Sequence, residues 1–106
     1  MFTQEVKEFP GTDVLADIIV DNKGRKSAAV VYNISRGGIY FVTSSTLSEG
    51  DRCLVYLKKN RNLFQAKGTV KWGRQIDPKD NMFRYGLEFK EPLQDSYIDL
   101  FIRCCN

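Results

Sequence analysis

The chain contains no histidine, so the side chain that most often serves as general base and as metal ligand near neutral pH is missing outright. Its three cysteines, Cys53, Cys104 and Cys105, are odd in number and unpatterned. That argues against a disulfide scaffold of the secreted kind and leaves reduced thiols as the expectation. Cys104-Cys105 also lacks the Cys-x-x-Cys spacing of a zinc knuckle or redox site, because helix neighbours point about 100° apart. No segment is apolar for long enough to span a bilayer. The amino terminus, Met1-Phe2-Thr3-Gln4-Glu5-Val6-Lys7-Glu8, lacks the basic stretch and apolar run of an export signal. Cytoplasmic residence without membrane insertion is therefore expected. An excess of one charge is lacking too: 16 Lys+Arg against 13 Asp+Glu leave a net charge of +3, which tolerates an anionic partner but is not the strongly basic balance of a dedicated nucleic-acid binder.

What remains is an ordinary globular composition, 42% hydrophobic and 27% charged over 106 residues, enough for one domain with a modest core. Residues 1–13 are polar, carry Pro10-Gly11 and show no core face, so they read as a flexible or extended lead-in. Residues 14–106 form the single domain. Val14 to Val20 is aliphatic, and Asp21-Asn22-Lys23-Gly24 supplies the turn into Ser27 to Tyr32, a first hairpin. Gly38 to Thr43 makes a third strand, and the alternation around Cys53, Val55 and Leu57 a fourth, ending in the basic cluster Lys58-Lys59-Asn60-Arg61.

A clean period of two places Phe64, Ala66, Gly68, Val70 and Trp72 on one face of the fifth strand and Gln65, Lys67, Thr69 and Lys71 on the other. Gly68, on the buried face, marks a bulge or sharp bend. After the linker Gly73 to Asn81, with its Asp77-Pro78-Lys79-Asp80 turn signal, Phe83, Tyr85, Leu87 and Phe89 form the buried row of a sixth strand. Beyond Pro92 the period changes: Leu93, Tyr97, Leu100, Phe101 and Cys104 follow the spacing of a short amphipathic helix. Six strands with no helix between them predict an all-β antiparallel barrel or sandwich capped by a carboxyl-terminal helix.

The segment Asn33-Ile34-Ser35-Arg36-Gly37-Gly38 breaks the apolar run between the second and third strands. Short polar side chains, two glycines and a guanidinium in one turn could seat an anionic or nucleotide-like ligand. The same residues could equally form an ordinary connection in which Asn33 and Ser35 satisfy their own backbone. Catalysis is not expected. Ser35 has no base at motif distance, and Asp77 with Asp80 and Glu88 with Glu91 read as turn or exposed-strand carboxylates. Nucleic-acid binding would use Lys58, Lys59, Arg61, Lys67 and Lys71 beside Trp72. Trp72 shares parity with Phe64 and Val70, however, which predicts a core position and argues against that class.

Three segments carry a family resemblance. Asn33-Ile34-Ser35-Arg36-Gly37-Gly38, Gly68-Thr69-Val70-Lys71-Trp72 and Tyr85-Gly86-Leu87-Glu88-Phe89 resemble, in order and separation, the Asp/Asn-x-Ser-x-x-Gly, Gly-x-Val-x-Trp and Tyr-Gly-Leu-x-Phe elements of the PilZ domain, the bacterial six-stranded barrel that acts as a receptor for cyclic di-GMP. The resemblance implies a PilZ-like barrel, a cytoplasmic role in cyclic di-GMP signalling, and Asn33, Ser35, Arg36 and Gly38 as ligand-facing residues, with no other cofactor and no metal. It also exposes a departure. The family's Arg-x-x-x-Arg motif, which precedes the first strand and grips guanine and phosphate, is replaced here by Lys7-Glu8-Phe9-Pro10-Gly11-Thr12-Asp13, and the first arginine in the chain is Arg25. With roughly 1.5–3 kcal/mol for each hydrogen bond to a charged group, losing two such anchors costs about 3–6 kcal/mol, on the order of a hundredfold to ten-thousandfold in affinity. The expectation is therefore a non-enzymatic adaptor with a degenerate ligand site, acting on a protein partner in a pilus, flagellar or second-messenger pathway of bacterial motility. Its alternatives are a direct cyclic di-GMP receptor and a small-barrel nucleic-acid binder.

Overall fold

Alternation of inward and outward residues recurs along the chain from Leu15 to Phe89, and the runs that carry it become strands with one face turned inward. The computed structural model describes residues 14–21, 24–77, 79, 81–94 and 96. Its strands are β1 Leu15–Val20, β2 Lys26–Ser35, β3 Gly38–Thr43, β4 Arg52–Lys59, β5 Asn62–Asp77 and β6 Met82–Phe89. They close into a barrel in the order β1-β2-β3-β6-β5-β4, with every neighbouring pair antiparallel. The β1–β4 ladder completes the ring. The expectation of a six-stranded all-β barrel holds, and of its alternatives the closed barrel is the form adopted. The expected carboxyl-terminal helix and the lead-in over residues 1–13 lie outside the described residues.

The inward positions form one core in which Ile18, Val31, Phe41, Leu57 and Leu87 are fully enclosed. Each such side chain contributes roughly 1.5–3 kcal/mol over its exposed state. Thr43 is a buried polar exception: its hydroxyl donates to the Ala28 carbonyl at 2.7 Å and accepts from the Ser45 amide at 3.3 Å. Tyr85 keeps its ring in the core and its hydroxyl at the rim, accepting from the Leu47 amide at 2.7 Å and donating to the Ser45 carbonyl at 3.4 Å. At the β4–β5 hairpin, Asn60 takes a left-handed φ of 55°, a conformation that asparagine tolerates better than most residues.

Two strands run longer than the sequence suggests. β2 continues through Asn33 to Ser35 instead of stopping at Tyr32, and β5 continues through the expected linker as far as Asp77. Both carry register shifts, between Val31 and Asn33 in β2 and between Val70 and Trp72 in β5. A bulge adds one residue to one side of a ladder and reverses the side-chain parity beyond it. The first irregularity in β5 therefore sits at Lys71, not at Gly68, and a second lies between Gln75 and Asp77. Gly68 serves close packing: a side chain there would collide with Leu87 and, at 2.6 Å, with the carbonyl of Glu88.

Candidate functional site

The β2–β3 connection is short because Ser35 pairs with Gly38 across it. The Ser35 hydroxyl accepts from the Gly37 amide at 3.3 Å and lies 3.5 Å from the Gly38 carbonyl. The chain leaving β6 fastens the outside of the turn. The Phe89 amide donates to the Gly37 carbonyl and the Leu93 amide to the Arg36 carbonyl, both at 2.8 Å. Gly38 answers to the same packing, since a side chain there would run into the carbonyl of Leu87 and sit 3.2 Å from the Glu88 Cα. Its place in the motif is thus explained by the β3–β6 contact alone. Arg36 is exposed, Ser35 is half-buried, and Asn33 is 8% exposed opposite Tyr40. The four expected site residues do cluster at one end of β2 and β3.

The bulges build the rest of the site. Val70 faces the core opposite Leu87, but the extra residue at Lys71 sets Trp72 opposite Gly86, on the outer side of the wall. The expected core position of Trp72 is therefore wrong: the indole is half-buried and packs outside the barrel against Tyr40, with ring centroids 5.5 Å apart. Tyr32, the bulged residue of β2, stacks on the other side of Tyr40 at 5.9 Å. The Arg84 guanidinium lies 5.0 Å from the centre of the Tyr32 ring, within cation–π range. Three aromatic rings thus cross the outer wall in a row.

Register places three successive rows on this wall. Ser35, Gly38 and Glu88 form one, Asn33, Tyr40, Gly86 and Trp72 the next, and Val30, Val42, Arg84 and Arg74 the third. Sequence reasoning found the first two polar groups and missed Tyr32, Tyr40, Arg74 and Arg84. The signal was present in the aromatic residues at both Tyr32 and Tyr40, but a bulge leaves no composition mark, so simple parity misplaced Trp72. The arrangement can stack a flat ring and hold an anion beside it. Among the described residues there is no group of three potential metal ligands and no helix long and apolar enough to cross a membrane. Cys53 is buried in the core, and that burial, with smaller contributions from Asp51 and Asp21, pushes its thiol up to about 11. A cleft of about 570 Å³ lies elsewhere, between Phe64–Lys67 and Lys90–Gln94, and none of the motif residues lines it.

Comparison with known proteins adds one match: the family model described as PilZ domain matches residues 4–106. No curated protein and no solved structure matches the chain.

Proposed function

The chain belongs to the PilZ domain family, and we propose that within cyclic di-GMP signalling it works as a non-enzymatic adaptor that acts through protein contacts. Membership carries a function related to cyclic di-GMP signalling. The adaptor reading goes further and rests above all on how the motif turn is used. The Ser35 hydroxyl is engaged with Gly37 and Gly38, and the Arg36 and Gly37 carbonyls are taken by Leu93 and Phe89. Every group named there has a task in holding the barrel together, which is what a member without the arginine pair of the lead-in would retain. A partner in a pilus, flagellar or second-messenger pathway of the cytoplasm fits this reading.

Titration calorimetry of the full chain with cyclic di-GMP tests it. The expected result is no heat at micromolar ligand. Micromolar heat that disappears in Ser35→Ala would establish the second reading, a direct receptor. One observation favours that second reading: Asn33, Ser35 and Trp72 share the outer wall on adjacent rows. In that case Asn33 and Ser35 would bond the ligand's guanine edges or phosphates, with Trp72 as the stacking surface. The position of Trp72 on the outer wall also removes the parity argument against nucleic acid. Salt-dependent retention on single-stranded DNA or RNA would be the sign of that third class.

A further inference from the structure

We propose that the row Leu15, Val30, Val42, Arg84 and Arg74 on the outer wall is the docking surface for a partner protein segment that carries apolar residues beside acidic ones. This inference rests on the adaptor reading. The register is continuous: Leu15 lies opposite Val30, Val30 opposite Val42, Val42 opposite Arg84, and Arg84 opposite Arg74. With neighbouring strands ~4.8 Å apart, the row runs roughly 19 Å, the reach of about six residues of extended chain. One end is aliphatic and the other cationic.

Among the described residues the aliphatic end is left exposed and the cationic end is in no ion pair. Leu15 is 49% and Val30 55% exposed, and among the described residues these are two of the largest exposures of a bulky hydrophobic side chain. They adjoin one another, which turns two isolated exposures into a patch. Arg74 and Arg84 face each other across β5 and β6, where like charges on opposed positions are mildly destabilising. Among the described residues neither guanidinium meets a carboxylate, although the wall pairs other cations: Lys58 with Asp17 at 2.7 Å and Lys71 with Glu88 at 3.4 Å. Arg84 is further held over the Tyr32 ring.

Charge complementarity therefore calls for a carboxylate from outside, gripped by the planar fork that arginine offers. Arginine and aromatic side chains beside aliphatic ones are also the composition of an interface centre. A nucleotide would engage the arginines and leave Leu15, Val30 and Val42 without a role, so the whole row fits a protein segment better. Because the barrel is closed, such a segment reads side chains on the wall and does not add a strand to an edge.

The test is photo-cross-linking of the full chain in its native cells, with p-benzoylphenylalanine placed at Val30 and, as a control on another part of the wall, at the exposed Gln65. The expected adduct forms from position 30 and not from position 65. Mass spectrometry should place it on a segment with Asp or Glu beside apolar residues. Its yield should fall about tenfold in Arg74→Glu and recover when the partner's acidic residue is changed to lysine. Arg74 is exposed and, among the described residues, in no ion pair, so Arg74→Glu, which exchanges a like-charge pair with Arg84 for an opposite-charge one, should melt no lower than the parent chain. Arg74→Gln, with a smaller loss, gives an independent check.

An adduct from position 65 instead of 30, a yield indifferent to Arg74→Glu, or a segment without acidic residues would overturn the docking surface while leaving the adaptor reading in place. Cross-linking to a second copy, or to residues 1–13 of the same chain, would do the same. Cyclic di-GMP provides the other arm, because Trp72 is the only tryptophan in the sequence and its emission reports on the wall. Quenching by the nucleotide that is lost in Arg74→Glu would make the row a nucleotide site and overturn both readings together.

Discussion

The indole of Trp72 occupies the space that a side chain at Gly86 would need: a Cβ built on Gly86 falls 2.8 Å from Cε2 and 3.0 Å from Cδ1 of that ring. The two residues face each other across β5 and β6. With Tyr40 packed on the indole as well, Trp72 lies against the sheet as part of the wall and is not a side chain swinging free in solvent.

Gly86→Ala should therefore lift the indole away from the sheet. A loss of about 1–3 kcal/mol in stability is expected from the overpacking, together with a red shift in tryptophan emission as the ring gains water. Urea denaturation and fluorescence read both. An unshifted emission spectrum would mean that Trp72 does not rest on Gly86.

Gly38→Ala should be more damaging than Ser35→Ala, although both fall in the ligand motif. The obstacle at Gly38 is the backbone carbonyl of Leu87, which cannot move without opening the β3–β6 ladder. A cost of roughly 3 kcal/mol or more is expected, at the upper end for overpacking. Ser35→Ala gives up the hydroxyl's bond to the Gly37 amide, worth about 1 kcal/mol. Equal effects in chemical denaturation would contradict the structural account of this glycine.

Tyr85→Phe keeps the ring in the core and removes the hydroxyl that binds the Leu47 amide and the Ser45 carbonyl. The cost should be about 1–2 kcal/mol. Hydrogen exchange at the Leu47 amide should accelerate, while amides in β1 change only by the global loss of stability. A Leu47 amide that exchanges as before would show that the rim loop is not held by this tyrosine.

Cys53 links stability to alkaline pH. Its thiol ionises near 9 in an accessible chain and is pushed up to about 11 in the fold, first by burial and then by Asp51 and Asp21. Between these values the unfolded chain releases the proton more readily, so the folded state is at its full stability below about 9 and loses it as the pH climbs towards 11. The difference between the parent chain and Cys53→Ala should narrow by on the order of 1–2 kcal/mol over that window. At pH 7 the thiol should alkylate far more slowly in the folded than in the unfolded chain. A pH-independent difference would show that Cys53 titrates normally.

Much of this architecture was open to direct reading, because the inward rows of β4 and β6 keep a period of two, although Phe83 is only half-buried and Gly86, on the opposite face, is buried. Asn33, Ser35, Arg36 and Gly38 lie together at the β2–β3 turn, as their contiguity in the sequence dictates. The reading failed where the alternation is broken by a single added residue. Counting parity through Lys71 carried Trp72 into the core, and stopping β2 at Tyr32 hid the stacking of Tyr32 on Tyr40. A bulge is set by the ladder across from it, which a linear pattern does not contain. The misplacement concealed the aromatic row and, with it, the arginines beside that row.

The β1–β4 ladder has a mechanical implication. Each strand is clasped from both flanks, so none can peel off while its neighbours stay in place, and partial fraying gives way to rupture of the whole hoop at once. Amides in the middle of all six strands should then share a single opening free energy.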